Sequence, residues 1–177
     1  MTRETMNVHK ALAELKILDS RIMSAINCGV YCAQNKNYNN VIAGIPVKQY
    51  EDEVIRASYN KVDDLMSRYN AIKKAVTLSN AATTVEIQGK TYTIAEAIWM
   101  KNHGVEYQKV YLSTLRGQYN KAQTSITKNN DALDKNAEAY VIIERMEALE
   151  AEIAAFEADV DSAISVSNAT TTITVEY

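Results

Sequence analysis

Backbone punctuation is nearly absent from this chain: one proline and five glycines serve 177 residues. Proline breaks helices and glycine costs about 1 kcal/mol relative to alanine inside them, so their scarcity favours long uninterrupted helices. Cysteine is as sparse. Cys28 and Cys32 stand four apart with no second pair and no histidine close by in sequence, which leaves a zinc site without its other half; on a helix the two read as small buried side chains. No run approaches the roughly 20 apolar residues of a membrane span. The opening MTRETMNVHKALAELK places charges where a secretion signal would need an apolar stretch. The expectation is a protein made in the cytoplasm, without signal peptide, transmembrane segment or membrane partner.

Groups for catalysis are equally thin. His9 and His103 are the two imidazoles, and each reads as an exposed or capping side chain. No P-loop, dinucleotide glycine pattern, nucleophile elbow or HExxH occurs. Glu147, Glu150 and Asp161 would gather carboxylates on the last helix, but metal sites in bundles add a Glu-x-x-His set and that helix has no histidine. No catalytic residue, cofactor or metal ligand is therefore assigned. Phenylalanine and tryptophan occur once each against eleven tyrosines, a balance suited to half-buried surfaces where the ring packs and the hydroxyl stays wet. Trp99, beside Ile98, reads as core or interface filler.

The net charge is −3, and the 19 lysines and arginines are scattered, whereas phosphate binding needs them gathered into a stripe. Nucleic acid is not an expected partner. Residues 1–90 carry 12 basic and 9 acidic side chains and residues 91–177 carry 7 and 13, so the acidic excess lies in the second half, mostly between Asp131 and Asp161. It reads either as a solvated helix face or as a match to a basic neighbouring subunit.

What the sequence does contain is helical periodicity. Val8, Ala11, Leu15, Leu18, Ile22 and Ala25 alternate steps of three and four, one stripe of a helix starting near Thr5 with Thr5 or Asn7 as cap. The stripe fades at Cys28, Gly29 and Cys32. Residues 34–47, rich in Asn and carrying Pro46, read as a long loop. Val54, Ser58, Val62, Leu65, Tyr69, Ile72 and Val76 mark a second helix, from about residues 49–52 to Ser79. The period then changes. Residues 84–94 are two short β-rich runs around Gly89, a β-hairpin turning at Gln88 to Lys90. Thr93-Ile94-Ala95-Glu96 fits a capping box. It opens a third helix with the stripe Ile94, Ile98, Val105, Leu112, Leu115, Tyr119, Ala122 and Ile126, and a kink near Gly104. Lys128-Asn129-Asn130-Asp131 reads as a turn and N-cap. After it Ala139, Ile142, Met146, Leu149, Ile153, Phe156, Val160 and Ala163 form the cleanest heptad of the chain.

A short internal repeat is visible: LSNAATTV at residues 78–85 and VSNATTTI at residues 166–173 each follow a helix and lead into a strand. The fold expected is mainly α, two long antiparallel helical hairpins in an elongated four-helix arrangement with a three-stranded β patch at one end. Its parts are residues 1–80, the first helical hairpin; 81–94, the β-hairpin; 95–167, the second helical hairpin; and 168–177, the C-terminal strand. Together they make one elongated domain of helices of about 30 to 36 residues, roughly 45 to 54 Å each. An open strand edge pairs readily with another chain. Thr172, Ile173, Thr174, Val175 and Tyr177 on the terminal strand, with Ile153, Phe156 and Val160 on the last helix, are accordingly the candidate interface.

Residues 85–98, VEIQGKTYTIAEAI, set between long helices, are similar to small virion proteins of tailed bacteriophages and prophages. They also resemble the septicolysin-like family, in which a helix, a short glycine-containing connection and another helix recur. The resemblance covers the style of most of the chain and assigns no functional residue. It implies a non-enzymatic component of a phage particle, in tail, neck or capsid surface, forming homo-oligomers or binding other virion proteins. The alternative is a helical effector or pore-forming protein.

Overall fold

A computed structural model describes residues 2–130 and 143–177. The chain is mainly helical, with three two-stranded antiparallel ribbons among the described residues. Strand β1 (Arg3–Asn7) leads into α1 (Val8–Cys28). A small ribbon of β2 (Val41–Ile42) and β3 (Ile45–Pro46) precedes α2 (Val47–Tyr50), a π-helical turn (Glu51–Arg56) and α3 (Ala57–Ala82). The hairpin of β4 (Thr84–Ile87) and β5 (Lys90–Thr93) follows. After it come α4 (Ile94–Trp99), a second π-helical turn (Met100–Gly104), α5 (Val105–Asn130), α6 (Ile143–Thr170) and β6 (Thr172–Glu176). Two compact units result, one from the chain up to Ser79 together with Asn168–Tyr177, the other from Asn80–Ser167. The β-hairpin thus belongs with the second helical pair and the terminal strand with the first.

In the first unit, helix α1 starts at Val8 and not near Thr5, because the residues before it are a strand. β1 pairs antiparallel with β6, from Arg3 opposite Glu176 to Asn7 opposite Thr172, and Thr2 and Tyr177 extend the pairing with backbone hydrogen bonds of 2.7 and 3.1 Å. Asn7 is the cap, its side chain accepting from Lys10 N at 2.8 Å. The α1 stripe, Val8 through Leu18, packs with Ile72 and Val76 of α3 and with Met6, Ile173 and Val175 of the ribbon.

Cys28 and Cys32 are both exposed, against the expectation of burial. Helix α1 stops at Cys28 because the chain turns sharply at Gly29, where a Cβ would sit 2.4 Å from the Tyr31 hydroxyl and 2.8 Å from the Ala25 carbonyl oxygen. Tyr31 then donates to that carbonyl at 2.9 Å and meets the Tyr59 ring edge-on, centroids 5.2 Å apart. Cys32 is therefore off the helix, and the shared face that would bury both thiols does not exist. The segment read as a long loop holds the β2–β3 ribbon, and helix resumes directly after Pro46.

In the second unit the hairpin turns through Gln88 and Gly89 at φ of 52° and 73°, the left-handed pair of a type I′ turn, for which glycine is the favoured second residue. The capping box is formed: Glu96 N donates to Thr93 Oγ1 at 3.2 Å and Thr93 N donates to the Glu96 carboxylate at 2.7 Å. Hydrogen bonds from the Thr93 backbone, then its side chain, hold the Glu96 carboxyl below its ordinary pKa. At the expected kink there is a π-helical turn. Ala97 and Val105 are eight residues apart, which would rotate them roughly 80° from one another in a straight α-helix. The extra residue held by the π turn returns both to the α6 side, where Ala97 clusters with Val160, and Val105 with Leu149 and Ile153.

Lys101 pairs with Asp161, Lys109 with Glu157 and Arg116 with Glu150, rungs that place α5 and α6 antiparallel. Every partner is more than two-fifths exposed, so each rung contributes at most about 1 kcal/mol and serves mainly to set register. Part of the acidic face is thereby matched within the unit. The expected turn at Lys128 to Asp131 is helical as far as Asn130; Asp131, Ala139 and Ile142 lie outside the described residues.

A three-stranded patch does not form among the described residues: β4 pairs with β5, and β6 with β1. Strand β1, read from sequence as the first turn of a helix, supplies the partner that the hairpin was expected to provide, with Met6 opposite Ile173. In urea denaturation Ile72→Ala, which truncates a side chain with 0% exposure, should cost about 2 to 5 kcal/mol. Thr93→Ala, which removes the cap of α4, should cost about 1 kcal/mol.

Candidate functional site

The short sequence repeat has a structural meaning. Thr83 and Thr171 hold equivalent places, each carbonyl accepting from the first residue of a helix, Ile94 N at 2.9 Å and Val8 N at 3.0 Å. Beyond them Val85 and Ile87 correspond to Ile173 and Val175, and in each pair the second residue is almost fully buried. Ala97 and Val160 in one core correspond to Ala11 and Ile72 in the other, and all four have 0% exposure. The chain is thus two strand-helix-helix-strand repeats, residues 3–87 and 90–176. Neither repeat pairs its own strands: β1 pairs with β6 and β4 with β5, so each repeat gives its last strand to the other's first.

At one position the repeats differ in chemistry. Phe156 of the second repeat, edge-on to Tyr92 with centroids 6.4 Å apart, corresponds to Arg68 of the first. The Arg68 guanidinium lies 4.6 Å from the centre of the Tyr177 ring and donates to the Tyr177 hydroxyl, to Glu14, and to Glu4 at 3.0 Å. Arg68, Glu14 and Glu4 are largely screened, with side-chain exposures of 22%, 21% and 33%. Lys10 adds a contact to Glu4 at 3.4 Å. Arg68 holds the Glu4 carboxyl below its ordinary pKa, against the opposing effect of desolvation, and Glu14 before Glu4 raises that of Arg68. The cluster joins β1, α1, α3 and the chain terminus, and so locks the ribbon onto the helical pair.

The expected interface residues divide by face. Ile173 and Val175 are buried in the first core, and Tyr177 is half-buried on Arg68; Thr172 and Thr174 are exposed. Ile153 and Val160 are buried against α5 and the hairpin, with Phe156 between them. Heptad spacing and strand alternation located these side chains correctly as apolar contacts, but the contacts are internal. The surface that sequence reading missed is on α4 and α5. Trp99, Tyr107, Val110 and Tyr111 are 53%, 70%, 56% and 50% exposed, so Trp99 is not core; its ring faces His103 at 6.0 Å. The π turn brings Trp99 onto the same side as the other three, and their i, i+3, i+4 spacing was the available signal.

A cleft of about 310 Å³ beside the hairpin is lined by Tyr92, Met100, Gln108 and Phe156, with Lys90 and Glu152 at its rim. Glu152 is engaged by Arg145 at 3.4 Å. Among the described residues there is no group of three or more potential metal ligands, and no helix is long and apolar enough to cross a membrane.

Because Glu4 has a lowered pKa in the folded chain, its stabilising contribution is complete above the ordinary carboxylate range and drains away as pH falls through the lowered value. Thermal midpoints measured from neutral to acid pH should therefore fall less steeply for Glu4→Gln than for the unaltered chain, and the two curves should converge in acid. Equal slopes would mean that the Arg68 cluster carries no stability. Comparison with known proteins gives no match to a family model, to a curated protein or to a solved structure.

Proposed function

We propose that the protein is a non-enzymatic structural component of a phage particle, in tail, neck or capsid surface, that joins copies of itself or other virion proteins through its outer helix faces and strand edges. The observation that supports this reading is the stripe of Trp99, Tyr107, Val110 and Tyr111, left exposed after the opposite side of the same helix has closed on α6. Single exposed apolar side chains are ordinary on any protein, whereas a contiguous stripe marks a contact surface. Trp and Tyr are the residue types that dominate interface energetics. Strands β1 and β6 each also keep one edge unpaired by another strand, which is a site for strand addition. The likeness of residues 85–98 to small virion proteins supplies the setting.

The test is solution mass by light scattering coupled to size exclusion, for the full chain and for the surface variant Trp99→Ser/Tyr107→Ser/Val110→Ser. The unaltered chain should exceed its 19.7 kDa monomer mass as concentration rises, and the variant should return to that mass with its helical content intact. A monomer that makes lipid vesicles leak would favour the effector reading instead. A monomer inert towards itself, towards virions and towards vesicles would overturn the proposal.

A further inference from the structure

We propose that the β1–β6 ribbon is an exchangeable clasp, through which the terminal strand of one copy pairs with the first strand of a second copy and links chains of this protein together. The two ribbons that close the cores are equivalent in position but not in tether. β4 and β5 are joined by a two-residue turn at Gln88 and Gly89 and cannot part company. β1 and β6 are the two ends of the chain, held by pairing and by the Arg68 cluster alone.

Withdrawal of β6 would uncover Met6, Val8, Ile72 and Val76, which are 4%, 2%, 0% and 5% exposed in the closed form. The slot so opened takes an extended segment with Ile, Val and Tyr at alternate positions, preceded by a carbonyl for the Val8 N–H. Residues 171–177 of a second copy have that pattern. They would restore every hydrogen bond and apolar contact of the closed ribbon, so exchange costs only the difference between closing a ring within one chain and associating two. Concentration then tips the balance. The chain already uses this geometry internally, where each repeat lends its last strand to the other.

The lock is also of a releasable kind. Where the second repeat has the apolar pair Phe156 and Tyr92, the first has Arg68 held by Glu4, Glu14 and Tyr177, an arrangement that protonation of the carboxylates loosens.

Thr5 and Thr174 lie directly opposite one another and both are exposed. Two full chains are made in a Cys28→Ser/Cys32→Ser background, one with Thr5→Cys and the other with Thr174→Cys. They are mixed at high concentration, given a brief acid pulse, returned to neutral pH and oxidised. Strand exchange should yield the mixed disulfide several-fold above the two like-with-like disulfides. The same product should form without acid when both chains also carry Arg68→Met, so an acid effect unrelated to the clasp does not decide the matter. Chains carrying Trp99→Ser/Tyr107→Ser/Val110→Ser should exchange equally well, which separates this clasp from association through the helix stripe. Mixed disulfides at only about twice each like-with-like product, the random ratio, or no disulfide under either treatment, would overturn the proposal.

Discussion

Whether the first helical pair can bury its stripe depends on two strands at opposite ends of the chain finding each other. Ile173 and Val175 fill the space between Met6, Val8 and the α3 residues Ile72 and Val76. At about 1.5 to 3 kcal/mol for each fully buried aliphatic side chain, the terminal strand is a major part of that core. Its pairing also fixes where helix begins. With Asn7 opposite Thr172 and the Val8 N–H bonded to the Thr171 carbonyl, the chain switches from strand to helix at one residue. The second core meets the same requirement more cheaply in entropy, because β4 and β5 are neighbours in sequence and their turn closes almost at once.

This contrast explains what could be read from the sequence. Local signals were reliable: the hairpin around Gly89, the capping box at Thr93 and Glu96, the stripes of all four helices and the irregularity near Gly104 each depend on residues a few positions apart. Strand β1 could not be read that way. Glu4, Met6 and Val8 do alternate inward, but three alternating residues beside a strong helical stripe look like its first turn, and only the distant partner Ile173 decides otherwise. Cys28 and Cys32 failed for a related reason, since the turn at Gly29 is set by the packing of Tyr31 on Tyr59, which spacing alone does not reveal. The apolar residues singled out as an interface, Ile153, Phe156, Val160, Ile173 and Val175, were correctly placed on contact faces. A stripe, however, carries no mark that tells an internal neighbour from an external one.

The repeat adds a constraint that neither half shows alone. An isolated strand-helix-helix-strand unit would be expected to pair its own two strands. Here the pairing is crossed, so each core needs a strand from the other repeat. That arrangement makes the halves interdependent although each has its own cluster of buried residues. It also explains why SNAATT and SNATTT remain alike: each must end a helix, present a carbonyl to the first residue of another helix and enter a strand within a few residues, and small or β-branched residues suit those steps.

Where the two cores diverge, the divergence follows their tethers. The hairpin core is closed by a covalent turn, and Phe156 against Tyr92 can be wholly apolar because nothing else is needed to hold the strands in register. The terminal core has no turn. An apolar contact is tolerant of sliding, whereas one guanidinium donating to Glu4 of β1, Glu14 of α1 and the hydroxyl of Tyr177 accepts a single register. A slip of one residue along either strand would remove Glu4 or Tyr177 from reach and turn Ile173 and Val175 outward together. Arg68 therefore does for the chain ends what the Gln88-Gly89 turn does for the hairpin, by electrostatics instead of connectivity, and a closure made that way can also be opened.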